Sequence, residues 1–324
     1  MTRLLHLGNV VVDLVLNVPY LPERGADVLA SASRATPGGG FNVLAAAARQ
    51  GLAAAYAGAH GTGPFADLAR AALAAEGIEV LLPPKAGRDT GVVIALVDGG
   101  GERTFLTAPG AEATLTPADL AAVRPAPGDA IYLSGYSFLH PASRDALLSW
   151  LAGPAAEPGA AGAAGVAGAG GVGRPIVFDP GPLVDQVPAA ALAAVLGRAD
   201  WLTCNAREAA LLSGRPDPFA AARVLAARQP GVIVRIGPGG CLLSLAGGEP
   251  VIIPGFEVRA IDANGAGDAH TGTFIAALAR GAAPPEAARL ANAAAAFAVT
   301  RAGPATAPTA SELARWLRRS PRRR

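Results

Sequence analysis

The 324-residue sequence predicts an α/β fold: a mostly parallel sheet covered by helices on both faces, with a smaller sheet projecting from it. Short apolar runs bounded by turn residues alternate with longer Ala- and Leu-rich stretches, the rhythm of buried strands and crossover helices. Two further segments break that rhythm by alternating apolar and polar residues, as strands with one exposed face do. With 51% hydrophobic and 16% charged residues, the chain can bury a large core, in one α/β domain with an appendage or in two domains.

In chain order, "LLHLG", "AAYAGA", "AIYLSG", "PIVFDP", "WLTCN" and "VIVRIG" read as buried strands. Helices are expected over 42–51, 64–76, 141–152, 206–213, 217–229, 268–280 and 284–300. The alternating segments lie at 9–35 and 90–111, the second with a "DGGGER" turn suited to a hairpin. The core is therefore assigned to 1–8, 36–89 and 112–317, and the projecting sheet to 9–35 and 90–111. Residues 153–173 are low in complexity, rich in Gly, Ala and Pro, and read as a lengthened surface loop. Residues 318–324 form a basic tail, expected to be a frayed, solvated end.

Several functions are excluded by composition. Net charge is only +2 and much of the excess sits in "RRSPRRR", so neither a nucleic-acid face nor an acidic surface is expected. No apolar stretch reaches the ~20 residues of a membrane helix and no signal-peptide cleavage site follows the N-terminus, so a cytoplasmic protein is expected. Cys204 and Cys241 read as core residues, and with four scattered histidines they give no metal-ligand spacing. Lys85 is the sole lysine; it lies beside two prolines, which removes the Gly-Lys-Ser/Thr phosphate loop and a Schiff-base lysine. "GAGGVG" at 168–173 matches a dinucleotide fingerprint in letters, yet a strand follows where a helix is required. "GTGPFA" at 61–66 has the strand and helix, but Pro64 and Phe65 fill the tight turn, so a helix-packing turn is the expectation.

Four clusters carry chemistry. In "DANGAGDAHTGTF", Asn264-Gly265-Ala266-Gly267 has no bulky side chain, so successive amides and the start of a helix can form an anion hole. Asp268 then faces the position where a general base would meet a hydroxyl, or else caps the helix. "PGGGFN" brings Gly38, Gly39 and Gly40 to a helix start at Asn42, which either approaches a polyol or serves as a cap. Asp13 sits in the first alternating segment, by default as a solvated strand residue. Asn205 and Glu208 have the spacing of a capping box and could also serve a Mg²⁺ ion through water. Gly237, Gly239 and Gly240 end a strand, as a plain hairpin or as a floor under a nucleotide.

Taken in order, "GGGFNVLAAAARQG", "NARE", the glycine turn after "VIVRIG", "DANGAGDAHTGTFIAAL" and "ANAAAAFAVTRAG" resemble the ribokinase/PfkB family of carbohydrate and nucleoside kinases, from about residue 4 to 317. The resemblance implies a ribokinase-like three-layer αβα core with a small β-sheet lid, and ATP-dependent phosphorylation of a hydroxyl on a sugar or sugar-like polyol. It implies Asp268 as base, the amides of Gly265, Ala266 and Gly267 around the transferring phosphoryl group, and Asp13, Gly38, Gly39 and Asn42 on the sugar. Asn205 and Glu208 would serve Mg·ATP, with Gly237, Gly240 and Asn292 around the nucleotide. Some members hold a monovalent cation such as K⁺, through positions matching Asp262, Asn264, Ala298, Arg301 and Gly303, and some pair into homodimers through the lid.

The sequence departs from the family pattern in informative places. Gly39 stands where ribokinases carry a lysine, Asn264 where Thr is common, and His270 where an aromatic residue is usual. "YLSGYSFLH" offers Ser134 and Tyr136 where ribokinases often have a sugar-binding acid, and Arg34, Arg88 and Arg103 could hold a sugar phosphate or remain solvated. The acceptor therefore stays open at this level. A nucleoside kinase of the same fold and a non-catalytic sugar-sensing protein are the alternatives; an NAD-dependent enzyme would have to bind at 61–66.

Overall fold

The computed structural model describes residues 3–153 and 174–319. Among them, the strands are β1 (Arg3–His6), β2 (Val10–Asn17), β3 (Ala32–Gly39), β4 (Ala53–Tyr56), β5 (Glu79–Val80), β6 (Val92–Val97), β7 (Arg103–Ala108), β8 (Ala130–Ser134), β9 (Ile176–Asp179), β10 (Trp201–Asn205), β11 (Gly231–Arg235), β12 (Gly240–Leu245) and β13 (Val251–Pro254). The helices are α1 (Gly40–Arg49), α2 (Pro64–Ala75), α3 (Pro117–Ala121), α4 (Pro141–Ala152), α5 (Ala189–Leu196), α6 (Ala206–Ser213), α7 (Pro218–Ala226), α8 (Ala266–Ala279), α9 (Pro284–Ala298) and α10 (Ala310–Arg319).

Nine strands form the main sheet in the order β13-β12-β11-β10-β9-β8-β1-β4-β5. The run from β11 to β5 is parallel; β12 and β13 add an antiparallel edge. Alternate side chains of each strand feed two cores, because a strand's side chains point to opposite faces in turn. Leu5, Ile131, Phe178 and Cys204 pack on one face with residues of α3 to α7. Leu4, Tyr132, Trp201 and Cys241 pack on the other with α1, α2, α8 and α9. Both cysteines are free and buried, and no helix is long and apolar enough to cross a membrane among the described residues.

The smaller sheet has the order β3-β2-β6-β7. β2 pairs antiparallel with β3 and parallel with β6, which pairs antiparallel with β7 through the "DGGGER" hairpin. Register puts Asp13 beside Thr36, Val15 beside Arg34, and Val97 beside Arg103, so Asp13, Arg34 and Arg103 share one face. β3 runs on to Gly39 and passes straight into α1, which starts at Gly40, two residues before the expected start at 42.

Three helices are additional to those read from the sequence. α3 and α5 are short, and α10 has few apolar residues. Leu313, Trp316 and Leu317 of α10 pack on Phe256 and neighbouring α9 residues, with Trp316 edge-on to Phe256 and Phe297. Arg318 and Arg319, assigned above to a frayed tail, are thus the last turn of a docked helix. Residues 154–173 of the low-complexity segment, with the "GAGGVG" run at 168–173, lie outside the described residues, as do 320–324.

Candidate active site

The C-terminal ends of the parallel strands, where open α/β sheets bind ligands, bring together residues far apart in sequence. α8 opens there on Gly265, whose left-handed φ of 74° and close approach to the Pro304 carbonyl (1.8 Å from where a Cβ would stand) require glycine. No side chain caps the first turn. The Ala266 amide bonds the Ala263 carbonyl at 3.3 Å, while those of Gly265 and Gly267 have no partner among the described residues. The expected hole is therefore narrower than the three amides suggested, because the turn entering the helix uses the middle one.

The contrast with α2 is informative. The "GTGPFA" turn also ends in a helix, but Asp89 fills it, accepting from Phe65 N at 3.1 Å and Ala66 N at 2.8 Å and leaving no room for a Cβ on Gly63. That anion site holds the chain's own carboxylate, which removes the dinucleotide reading. Asp89→Ala should cost about 1–2 kcal/mol of stability, as loss of a helix cap does, measured by urea unfolding, and leave catalysis unchanged.

Asp268, in the first turn of α8, has one carboxylate oxygen held by Asn42 Nδ2 at 2.9 Å. Asn42 is 6% exposed and its Oδ1 is buried without a partner, an acceptor left for a ligand's hydroxyl. Burial pushes the Asp268 carboxyl up to about 6, helped by the Asp179 charge and opposed by the Asn42 hydrogen bond and Arg235. Asp13 on β2 is likewise raised to about 6, by burial first and then by the nearby Asp268 charge. Gly38 lies against the Asp13 carboxylate, where a Cβ would come within 2.4 Å of Oδ2, and Gly39 lies over the Asn9 carbonyl. Asp13, Gly38 and Asn42 thus converge on Asp268.

On the other side, β9, β10 and β11 end in Asp179, Asn205 and Arg235. Asn205 and Glu208 form the capping box read from their spacing: Asn205 Oδ1 accepts from Glu208 N at 2.9 Å, and Glu208 Oε2 from Asn205 N at 2.8 Å. Glu208 is 3% exposed, and burial, then the Asp179 charge, raises its carboxyl above the ordinary range. Arg235 joins the cluster, at 3.1 Å from Asp179 and 3.7 Å from Glu208, and donates to Thr203 and Thr271 hydroxyls at 2.6 and 3.1 Å. A Cβ on Gly267 would be 3.5 Å from its Nε, so this guanidinium lies directly beside the glycine loop.

Asp179 and Arg235 were not singled out from sequence. The available signal was a lone charge at the end of an otherwise apolar strand, in "PIVFDP" and "VIVRIG". Around Tyr136 the charges of Asp268, Asp179, Glu208 and Asp13 combine with burial to raise its hydroxyl to about 12. Two carboxylates, Asp179 and Glu208, face the Arg235 guanidinium, and no group of three or more carboxylate, imidazole or thiol side chains able to hold a metal ion by themselves occurs among the described residues. Glu208 has both oxygens occupied by Asn205, so it fits a contact through water better than direct ligation.

Other expected site residues have different roles. Gly237, with φ 65°, faces open space, whereas Gly240 is fixed by the carbonyl of Ile253, 2.2 Å from a would-be Cβ, in the β11–β12 hairpin. Asn292 donates its amide to the Ile253 and Pro254 carbonyls and ties β13 to α9. His270 is 2% exposed beside Phe274, and burial pushes its imidazole down to about 3, so it packs as a neutral ring. Lys85 pairs with Asp119 at 2.7 Å, and Arg88 donates to the Pro109 carbonyl at 3.5 Å. Ser134 is buried at the end of β8.

Of the residues expected around a monovalent cation, the one carboxylate is already engaged by two guanidinium groups. Asp262 Oδ1 accepts from Arg103 Nη2 at 2.5 Å and Asn264 N at 2.9 Å; Oδ2 accepts from Gly303 N at 3.0 Å, with Arg34 at 3.8 Å. The Ala298 carbonyl accepts from Arg301 N and Thr306 Oγ1, and Arg301 itself lies 3.9 Å over the Phe297 ring. Two guanidinium groups already face one carboxylate, and a third positive charge there is opposed electrostatically.

A buried carboxylate beside unpartnered backbone amides at a helix start can in principle take a proton next to a bound anion. The model of the pfkB family carbohydrate kinases matches residues 1–310, and the chain belongs to that family. It is 30% identical, over 95% of its length and 91% of the relative's, to the uncharacterized sugar kinase YegV of Escherichia coli K12. Among solved structures it is similar to a ribokinase of Thermotoga maritima, with a TM-score of 0.79 and 24% identity over 98% of this chain and all of that one. A fructokinase double mutant of Vibrio cholerae O395, solved with fructose, ADP and potassium ion, has a TM-score of 0.77 at 24% identity over 98% of both chains. The protein is thus a PfkB-family sugar or nucleoside kinase with the ribokinase fold.

Proposed function

We propose that the protein transfers the γ-phosphoryl group of ATP to a hydroxyl of a sugar or sugar-like polyol. The observation that carries this reading is the uncapped start of α8, with free Gly265 and Gly267 amides immediately before an Asp268 carboxyl raised to about 6. The acceptor lies between Asp13, Gly38 and Asn42, with the reacting hydroxyl on Asp268. Asn42 orients the carboxylate through one oxygen and leaves the other to take the hydroxyl proton. The hydroxyl oxygen bonds to the γ-phosphorus, the bond from phosphorus to the bridging oxygen breaks, and ADP leaves with that electron pair.

Gly265 and Gly267 amides and the start of α8 stabilise charge on the transferring group. Arg235, beside Gly267, adds a fixed positive charge. Glu208 and Asp179 would hold the waters of a Mg²⁺ ion, which when bound neutralises nucleotide phosphate charge. The small sheet acts as a lid that carries Asp13 onto the acceptor and excludes water, which otherwise competes as the phosphoryl acceptor.

An ADP-release screen over pentoses, hexoses, sugar acids, sugar phosphates and nucleosides tests the reading. Release with one or more sugars supports it; release with nucleosides alone makes the protein a nucleoside kinase, and no release with any acceptor removes the assignment. The pH profile supplies a second check. A base with its carboxyl near 6 is active above that value, so kcat/KM should fall as pH drops through about 6 and level off above it.

A further inference from the structure

Arg103 is carried by β7, on the outer edge of the small sheet, yet its guanidinium reaches across to Asp262 in the main body. The ion pair borders a cavity of about 440 Å³ between the two, lined by Val15, Asn17, Arg34 and Asn264 among others. It therefore spans a cleft and is not sealed inside a core. Asp262 is 9% exposed in its side chain and joins two loops, taking the Asn264 amide on one oxygen and the Gly303 amide on the other. Asn264 immediately precedes the glycines that form the anion hole. Whatever fixes the Asp262 carboxylate fixes that loop.

Four donors already face the carboxylate: Arg103 and the Asn264 amide on one oxygen, the Gly303 amide on the other, and Arg34 at 3.8 Å. The Asn264 amide, Arg103 and the Gly303 amide hold the Asp262 carboxyl below its ordinary range against the opposing effect of burial. With Arg34 as well, the local charge is already positive.

We infer that Arg103 serves on Asp262 as a built-in cation, so that the anion-hole loop is set by closure of the small sheet and the protein works without a monovalent ion. This rests on the phosphotransfer reading, in which that loop holds the γ-phosphoryl group. Arg103 is then a positioning residue: it acts through Asp262 and the Asn264 amide and touches no reacting atom. With the sheet lifted away, Asp262 loses its closest cation and the loop its strongest tie; with the sheet down, ion pair, loop and acceptor cover are completed together.

The test compares potassium chloride with choline chloride at equal ionic strength, reading both turnover and the affinity for a non-hydrolysable ATP analogue by calorimetry. The wild-type protein should give the same values in both salts. Arg103→Ala should lose about 10²-fold in kcat in choline chloride, the scale of a misplaced reacting group, and recover part of it in potassium chloride, where the ion can reach the vacated carboxylate. Arg103→Lys should stay indifferent to the salt. A wild-type protein whose nucleotide affinity or turnover rises with potassium overturns the inference, and so does an Arg103→Ala protein that is folded and equally active in both salts. If Arg103→Ala does not fold, the wild-type comparison alone decides. Calorimetry needs no acceptor, so failure to find a sugar substrate bears on the proposed function and leaves this result readable.

Discussion

Asp268→Asn is expected to lower acceptor phosphorylation by about 10²–10⁴-fold, the range contributed by a positioned general base, while nucleotide affinity stays close to that of the wild type. The amide keeps the shape of the carboxylate and can still meet Asn42, so the start of α8 should be undisturbed. It cannot take the hydroxyl proton. Steady-state kinetics with the best acceptor from the screen, together with calorimetry on the ATP analogue, separates the two effects. Retained turnover would remove Asp268 from its assigned role.

The same substitution has a second consequence with a defined sign. Asp13 and Asp268 both titrate near 6 in the folded protein, above the ordinary carboxylate value of 3.8. A raised folded-state value favours the protonated native state, so this contribution to stability is complete below about 3.8 and is lost as pH rises through about 6. Activity, which needs ionised Asp268, rises over that window. Asp268→Asn should therefore be more stable than the wild type at pH 8 and lose that advantage near pH 4, in paired thermal melts. An advantage that grew toward low pH would contradict the burial of this charge.

Arg235→Met should cause a comparably large change, this time in the fold itself. The Arg235 side chain is 14% exposed between Asp179 and Glu208, whose side chains are 12% and 3% exposed. Removing one member of a buried ion-pair cluster leaves uncompensated charge and costs about 3–5 kcal/mol. The Thr203 and Thr271 hydroxyls lose a charged partner as well. Urea unfolding at pH 7 should show the loss, and part of it should return in the Asp179→Asn/Arg235→Met double variant, because one stranded charge is gone. Simple additivity of the two single variants would mean that Arg235 and Asp179 do not act as a unit. Turnover should also fall in Arg235→Met, since the guanidinium lies beside the Gly267 turn.

The legible and illegible parts of this molecule divide along a physical line. Apolar runs such as "AIYLSG" and "VIVRIG" revealed their strands because burial on both faces removes polar residues from a strand. Asn205 and Glu208 revealed their capping box because its partners are three residues apart. α10 was not legible, since its three apolar anchors mean little until Phe256 and Phe297 are brought against them. Asp89 could not be matched to the "GTGPFA" turn for the same reason: the carboxylate lies 24 and 23 positions after the Phe65 and Ala66 amides it accepts from, with α2 and β5 between, and nothing local ties them.

The sequence by itself determined the alternation of strand and helix, the glycine loop at the head of α8 and the carboxylate that follows it. These depend on backbone freedom and on period, both of which are local properties. Tertiary structure alone decided that Asn42 holds Asp268, that Arg235 sits between Asp179 and Glu208, and that Arg103 and Arg34 face Asp262. Those contacts join residues 27 to 228 positions apart where both partners are charged or amide-bearing. Charge interacts through space and carries no sequence period, so such partners become visible only when the sheet order sets their strand ends side by side.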